Sequence, residues 1–199
     1  MRLGIDIDGV ITDCERYSID YGTKFCIENN LTYKVHLGNY DVSKALGISK
    51  ENEEKFWNKY LKNYIVNGSP RNMAVETINK LKEEGYEIYL ITARNQWGLP
   101  NQDVGKMREY TEKWLKDNKI KYDKIIYTEG SKVPYVVGNY IDIMIEDSPV
   151  NVKEISKKIP LLCFNNSYNE EIRGKNIKRV YTWCDAYKKI KEVSKIINK

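Results

Sequence analysis

No stretch of the 199 residues holds the roughly 20 consecutive apolar side chains that a membrane-spanning helix needs. Met1-Arg2 are followed by only a short apolar run before Asp6, a pattern that does not read as a secretion signal. The four cysteines, Cys14, Cys26, Cys163 and Cys184, are widely scattered and include no C-x-x-C. Neither a zinc ribbon nor a disulfide framework is indicated, and the expectation is reduced thiols in a cytoplasmic protein. Histidine occurs once, as His36 in a polar stretch before Gly38, so a His-based metal site or triad has no second member. A surface or capping role is expected for it. Repeats and low-complexity segments are missing too, which leaves the alternation of elements as the guide to architecture.

The hydrophobic fraction of 41% and charged fraction of 31% are those of a globular chain, well clear of disorder. The length suits one core domain with room for a modest insertion. Net charge is +5, from 33 Lys+Arg against 28 Asp+Glu, which suits a small anionic substrate. Much of the excess lies in 153–199, where lysines alternate with apolar residues at helical spacing, the pattern of a solvated helix face. No nucleic-acid or membrane partner is expected.

The chain is organised around Leu3-Gly4-Ile5-Asp6-Ile7-Asp8-Gly9. As a strand, its period of two puts Asp6 and Asp8 on one face, and Gly9 supplies the backbone freedom to leave it. Helical spacing follows over 14–29, a short helix near 42–46 closes at Gly47, and Ser49 caps a helix running to about 64. After the break at Asn67-Gly68-Ser69-Pro70 the pattern changes. Met73, Val75, Ile78 and Leu81 form a helical stripe, and strands are expected at 86–91, 124–127, 141–145, 161–164 and 179–181. Helices are expected at 106–118, 131–138, 148–157 and 182–197. This alternation predicts an α/β fold with a parallel sheet covered on both faces. Ligand sites in such sheets lie beyond the carboxyl ends of the strands.

Those ends carry a selective set of side chains. The first strand offers Asp6 and Asp8, the second runs into Thr92-Ala93-Arg94, and the fourth delivers Glu146-Asp147-Ser148-Pro149. Lys132, fifteen residues before Asp147, opens a short helix where the dipole disfavours a cation unless it serves something else. Oxygen-only ligands fit Mg²⁺, and an ammonium group, a hydroxyl and paired carboxylates are the parts of metal-assisted phosphoryl transfer.

The sequence resembles the haloacid-dehalogenase-like phosphatases over nearly its whole length. Asp6-Ile7-Asp8-Gly9-Val10, Leu90-Ile91-Thr92, Lys132 and Glu146-Asp147 match that superfamily's four motifs in order. The resemblance implies a Rossmann-like core formed by 1–13 and 70–199, with a small helical cap inserted at 14–69. It implies that Asp6 is a nucleophile forming an aspartyl-phosphate and that Asp8 is the general acid/base. Thr92 and Lys132 would hold the phosphoryl group, with Ala93 and Arg94 in the substrate-binding set. Mg²⁺ would sit on Asp6, Asp8 (through its main-chain carbonyl) and Asp147. Glu146 stands where Asp is commoner and is expected around the metal rather than on it. Asp13 matches an acidic position of the family, with a capping or loop-bracing role equally expected.

Within the superfamily the chain looks most like the 5'(3')-deoxyribonucleotidase group, through 6–13, Tyr40-Asp41-Val42, Phe56-Trp57, Thr92-Ala93-Arg94, Glu146-Asp147-Ser148-Pro149 and Phe164-Asn165. A phosphomonoesterase acting on nucleoside monophosphates is therefore expected. The competing readings are the same chemistry on another small ester such as a sugar phosphate, and a ligand sensor with vestigial activity. A nucleic-acid end-phosphatase would need a basic groove that this sequence does not offer. Among Tyr17, Tyr21, Phe25, Phe56, Trp57, Tyr60 and Tyr64, most are expected to pack the helical insertion. Tyr17 and Trp57 are the candidates for stacking on a base. Trp97 and the polar loop 95–105 are expected over the site.

Overall fold

The structure is a computed structural model that describes residues 1–100 and 103–197; Asn101 and Gln102, within the loop expected over the site, lie outside the described residues. Strand β1 (Arg2–Ile5) leads into helices α1 (Cys14–Glu28), α2 (Val42–Leu46) and α3 (Lys50–Asn67). Helix α4 (Ala74–Glu83), strand β2 (Glu87–Thr92), helix α5 (Met107–Asp117) and strand β3 (Lys124–Tyr127) follow. The second half runs α6 (Val133–Gly138), β4 (Ile143–Glu146), α7 (Pro149–Ile155), β5 (Leu161–Phe164), β6 (Ile177–Val180) and α8 (Trp183–Ile197).

The strands are short, and apolar side chains occupy both of their faces. Leu3, Ile5, Ile88, Leu90, Ile143, Ile145, Leu162 and Phe164 point to one side, where α4, α5 and α8 cover them through Ile78, Leu81, Trp114, Leu115, Trp183 and Ile190. Ile91, Met144, Leu161 and Cys163 point to the other, beneath Val136 of α6 and Val152 and Ile155 of α7. Full burial of each Leu or Ile contributes about 1.5–3 kcal/mol, so strands of four residues hold although each makes few ladder bonds. Two buried faces favour parallel pairing, and all five strand pairs are parallel, in the order β3-β2-β1-β4-β5-β6. Chain order runs outward in both directions from β1, so the crevice between β1 and β4 is the topological switch point where such sheets bind ligands.

The three helices at 14–67 have a core of their own, built on Phe25, Cys26, Val42, Leu46, Phe56 and Tyr60. Their ends follow local chemistry. Asp13 caps α1 by accepting from Arg16 N, and Ser49 caps α3 by accepting from Asn52 N. Leu61, Tyr64 and Ile65 of α3 share a second cluster with Leu99 and Met107. Trp114 of α5 donates its indole N–H to Gly68 O at 2.6 Å, pinning the point where the helical segment returns to the sheet.

Element types and order agree with the sequence expectation, with two local differences. Strand β1 stops at Ile5, because three successive amides, those of Val10, Ile11 and Thr12, turn back onto the carbonyl of Ile7. Asp6 and Asp8 therefore leave the sheet in a wound loop and do not share one strand face. Met73 does not join the apolar stripe; it is exposed, with a left-handed backbone (φ 64°) just before α4.

Candidate active site

The strand ends bring Asp6, Lys132, Glu146 and Asp147 together. Asp6 N–H donates to Ile145 O at 3.0 Å, extending the β1–β4 ladder by one bond and fixing the nucleophile candidate beside β4. Lys132 sits just before α6, and its ammonium lies 2.7 Å from Asp6 Oδ1 and 2.8 Å from Glu146 Oε2, with 2% of the residue exposed. Burial opposes the charge on Lys132, but Asp6 and Glu146 outweigh it and hold its pKa above the ordinary lysine value. Burial, and next the charge of Glu146, push the Asp6 carboxyl well up, against the pull of Lys132. Asp147 is pushed up by burial and then Glu146, with relief from a Tyr168 hydrogen bond and from Lys132.

One carboxylate oxygen from each of Asp6, Glu146 and Asp147 lies within 4.8 Å of the others. Three buried acids against one buried ammonium leave an excess of negative charge, costly in a poorly solvated site. Asp147 Oδ1 is buried and has no hydrogen-bond partner. These donors are hard oxygens, so the site fits a hard divalent cation. Glu146 is committed elsewhere: Oε2 accepts from Lys132, and Oε1 accepts from the amides of Asp147 and Ser148. The free oxygens belong to Asp6 and Asp147, while Glu146 anchors the lysine. The Asp8 side chain is not part of this cluster, its carboxylate being bonded to Arg94 and Tyr64.

Asp8 faces Arg94. Arg94 Nη2 donates to Asp8 Oδ1 at 2.7 Å, and Nε lies 3.1 and 3.0 Å from Oδ1 and Oδ2. Arg94 is fully buried and is committed to Asp8 in place of the open phosphate contact expected for it. Thr92 is buried beside it, its hydroxyl accepting from Arg94 N. Two residues before Thr92, Leu90 is paired with Ile5, which sets Thr92 alongside the loop that carries Asp6. Ala93 is half-buried where that strand turns.

Above the strand ends lies a cavity of about 380 Å³, lined on the sheet side by Asp8, Asp147 and Tyr168 and on the helical side by Cys14, Tyr40, Val42 and Trp57. Trp97 and Gly98 of the loop after β2 also line it, with the Trp97 ring 6.5 Å from that of Trp57 at 28°. Tyr17 does not line it. Its ring stacks on Tyr21 at 4.2 Å, and its hydroxyl is used by Tyr60 O and Asn63, so helical packing consumes it. Of Tyr17, Tyr21, Phe25, Phe56, Trp57, Tyr60 and Tyr64, Trp57 alone lines the cavity, joined there by Tyr40. The other six pack on each other and on the core, and Tyr64 also gives its hydroxyl to Asp8. His36 is exposed, and Asp13 both caps α1 and pairs with Arg71 at 2.9 Å.

Sequence reasoning missed Tyr168 and Asn166. Both lie just after β5, and their only sequence signal is a polar stretch leaving a strand at the same rim. Tyr168 donates its hydroxyl to Asp147 Oδ2, and Asn166 donates to Gly9 O at 3.0 Å and lies 3.4 Å from the same oxygen. Gly9 (φ 82°) packs so closely here that a Cβ would overlap the Asp147 carboxylate, so glycine is required on both counts. Tyr168→Phe is expected to weaken divalent-ion binding about 10-fold or more by freeing the Asp147 rotamer. Isothermal titration of the substrate-free protein with Mg²⁺ measures it.

The doubly covered parallel sheet, with carboxylates, a buried lysine and a strand-end threonine at its switch point, has the haloacid-dehalogenase-like hydrolase fold. Solved structures of that class share the fold. One is the haloacid dehalogenase-like hydrolase SP0104 of Streptococcus pneumoniae, with a TM-score of 0.61 at 12% identity over 95% of this chain and 97% of that one. Another is a β-phosphoglucomutase of Clostridium difficile, with a TM-score of 0.57 at 15% identity over 100% and 99%. More narrowly, the chain belongs to the family described as 5' nucleotidase, deoxy (pyrimidine), cytosolic type C protein, whose model matches residues 1–197. It is 30% identical over 192 residues to the Bacillus subtilis protein named "Putative nucleotidase YqfW", covering 94% of this chain and 91% of that protein. A nucleotidase-named protein of Bacillus cereus is 28% identical over 192 residues, covering 93% and 95%. The protein is a phosphatase of the nucleotidase kind. No helix among the described residues is long and apolar enough to cross a membrane.

Proposed function

We propose that the chain is a Mg²⁺-dependent phosphomonoesterase that hydrolyses (deoxy)nucleoside 5'-monophosphates through an aspartyl-phosphate on Asp6. The observation that carries this reading is the approach of Lys132 Nζ to Asp6 Oδ1, inside a buried acidic cluster and beneath an aromatic cavity. An oxygen of Asp6 attacks phosphorus, the bond to the nucleoside oxygen breaks, and that oxygen takes a proton from Asp8. Water then attacks phosphorus, passes a proton to Asp8, and releases Asp6 with inorganic phosphate. Lys132 and the Thr92 hydroxyl bind phosphoryl oxygens, with Ala93 adjoining them. Asp6, the main-chain carbonyl of Asp8 and Asp147 would hold the cation, which would mask charge on the carboxylate and phosphoryl group so that two anions can meet.

The residues at 14–69 serve as the cap. Trp57, Trp97 and Tyr40 around the cavity offer flat apolar faces to a nucleobase. Among the described residues no lysine or arginine lines that cavity, which suits a leaving group without a second anion. Four free cysteines fit a reducing, cytoplasmic setting. A panel of nucleoside and sugar monophosphates assayed with Mg²⁺ tests the specificity. Deoxyribonucleoside 5'-monophosphates are expected to give the highest kcat/KM, and preference for a sugar phosphate would remove the nucleotide assignment.

A further inference from the structure

Of the three donors on Asp8, two meet Oδ1 alone and the third is shared between both oxygens. Oδ1 lies 2.7 Å from Arg94 Nη2, 3.1 Å from Arg94 Nε and 2.8 Å from the Tyr64 hydroxyl. Oδ2 meets only the shared Nε, at 3.0 Å. Asp8 lines the cavity, whereas Arg94 has no exposed surface and does not line it. Arg94 is itself held: its guanidinium carbon lies 5.7 Å from the centre of the Tyr64 ring and 5.5 Å from that of Trp114. Tyr64 is fixed in turn by the Thr12 hydroxyl at 2.7 Å, and the Trp114 indole is fixed by Gly68 O. Such a planar fork between two rings sets the orientation of its carboxylate partner more strictly than an ammonium would.

We propose that Arg94 and Tyr64 are positioning residues for proton transfer, and that they bind Asp8 Oδ1 so that Oδ2 is the oxygen exchanging the proton with the leaving group. This rests on the phosphatase reading of the site above. It gives Arg94 a role in orienting Asp8 and removes it from phosphate binding. With two donors on Oδ1 alone and a third shared, the greater spare lone-pair capacity is on Oδ2, and rotation about the Cβ–Cγ bond would break the paired hydrogen bonds. Tyr64 lies on α3, so the helical segment supplies part of the holder for a group on the β1 loop.

The test compares two esters whose leaving groups differ in their need for a proton. A nucleoside 5'-oxygen leaves as a strongly basic alkoxide unless protonated, whereas p-nitrophenolate leaves without help. The ratio kcat/KM reports steps up to release of the first product, so it isolates this transfer. Arg94→Met is expected to lower kcat/KM for a deoxyribonucleoside monophosphate about 10²-fold or more, the span of a general acid, and that for p-nitrophenyl phosphate by less than about threefold. Arg94→Lys restores part of the nucleotide activity. Tyr64→Phe keeps the ring and loses only one donor, so it gives a smaller loss, again confined to the nucleotide. Turnover of the aryl ester reports that each variant is folded. Equal losses on both esters, with KM raised, would return Arg94 to phosphate binding and overturn the proposal. Asp6→Asn separates the two levels: activity retained in that variant defeats the underlying reading, whereas an inactive Asp6→Asn with equal Arg94 losses defeats only the positioning role.

Discussion

Lys132→Met is expected to destabilise the folded protein by about 3–5 kcal/mol, because two buried carboxylates lose their shared cation while staying out of water. Lys132 touches Asp6 and Glu146 at 2.7 and 2.8 Å, and Glu146 has no exposed surface into which its charge can relax. For a chain of this size that loss corresponds to a fall in Tm on the order of 10 °C, read by calorimetry in the absence of divalent ions. Adding Glu146→Gln to the same chain removes one orphaned charge and is expected to recover a substantial part of the loss. The coupling measured by that double-mutant cycle distinguishes a charge effect from lost packing of the lysine stem. Hydrolysis is expected to fall at least about 10²-fold, since the donor proposed to bind the phosphoryl group is gone. A variant as stable as the parent would mean that the ammonium does not neutralise this cluster.

The Asp6→Asn change separates activity from stability in the opposite sense. Loss of the proposed nucleophile is expected to lower kcat by roughly 10⁴-fold or more, measured as phosphate release with Mg²⁺ present. The folded state, in contrast, is expected to gain. Burial and the neighbouring Glu146 raise the Asp6 carboxyl well above its ordinary value. A group raised on folding stabilises below its unfolded pKa, and that contribution is lost as pH rises through the folded value. At neutral pH and without a cation, ionised Asp6 is therefore a liability that asparagine does not carry. The Tm of Asp6→Asn in chelator is expected to match or exceed that of the parent, with the gap widening as pH rises from acid to neutral. Unimpaired hydrolysis by this variant would place the chemistry elsewhere.

Much of this was legible from the chain because the relevant signals are local. A run such as Ile88-Tyr89-Leu90-Ile91 has one sensible home in a sheet buried on both sides, and the polar residue that ends it must emerge at the rim. Parallel pairing then puts Asp6, Thr92 and Asp147 at the same rim without further information. The commitments of side chains were less legible, since they depend on what arrives from distant segments. Nothing near Arg94 in sequence reveals that Asp8, 86 residues away, will take its guanidinium. Nothing in the spacing of Tyr17 distinguishes it from Trp57, because both belong to stripes of rings at helical intervals. Only the packing of α1 against α3 decides that one stacks on Tyr21 and the other borders the cavity. Tyr168 escaped notice because its loop carries no motif, and its importance comes from a carboxylate 21 residues earlier.

The short turn Ser167–Asn169 ties two parts of the molecule that the chain keeps far apart. Ser167 binds Glu15 of α1 through both its amide and its hydroxyl, and it accepts from Gly38 N at 2.6 Å. The next residue, Tyr168, sets its ring edge-on to Tyr40 at 5.1 Å while donating to Asp147. Neighbouring peptide units thus grip the helical segment with one hand and the carboxylate proposed to hold the cation with the other, so the two are not independent degrees of freedom. Thermodynamic reciprocity then makes the traffic two-way: an ion that immobilised Asp147 would favour the present arrangement of residues 38–40, and a ligand that favoured that arrangement would tighten the hold on the ion by the same factor.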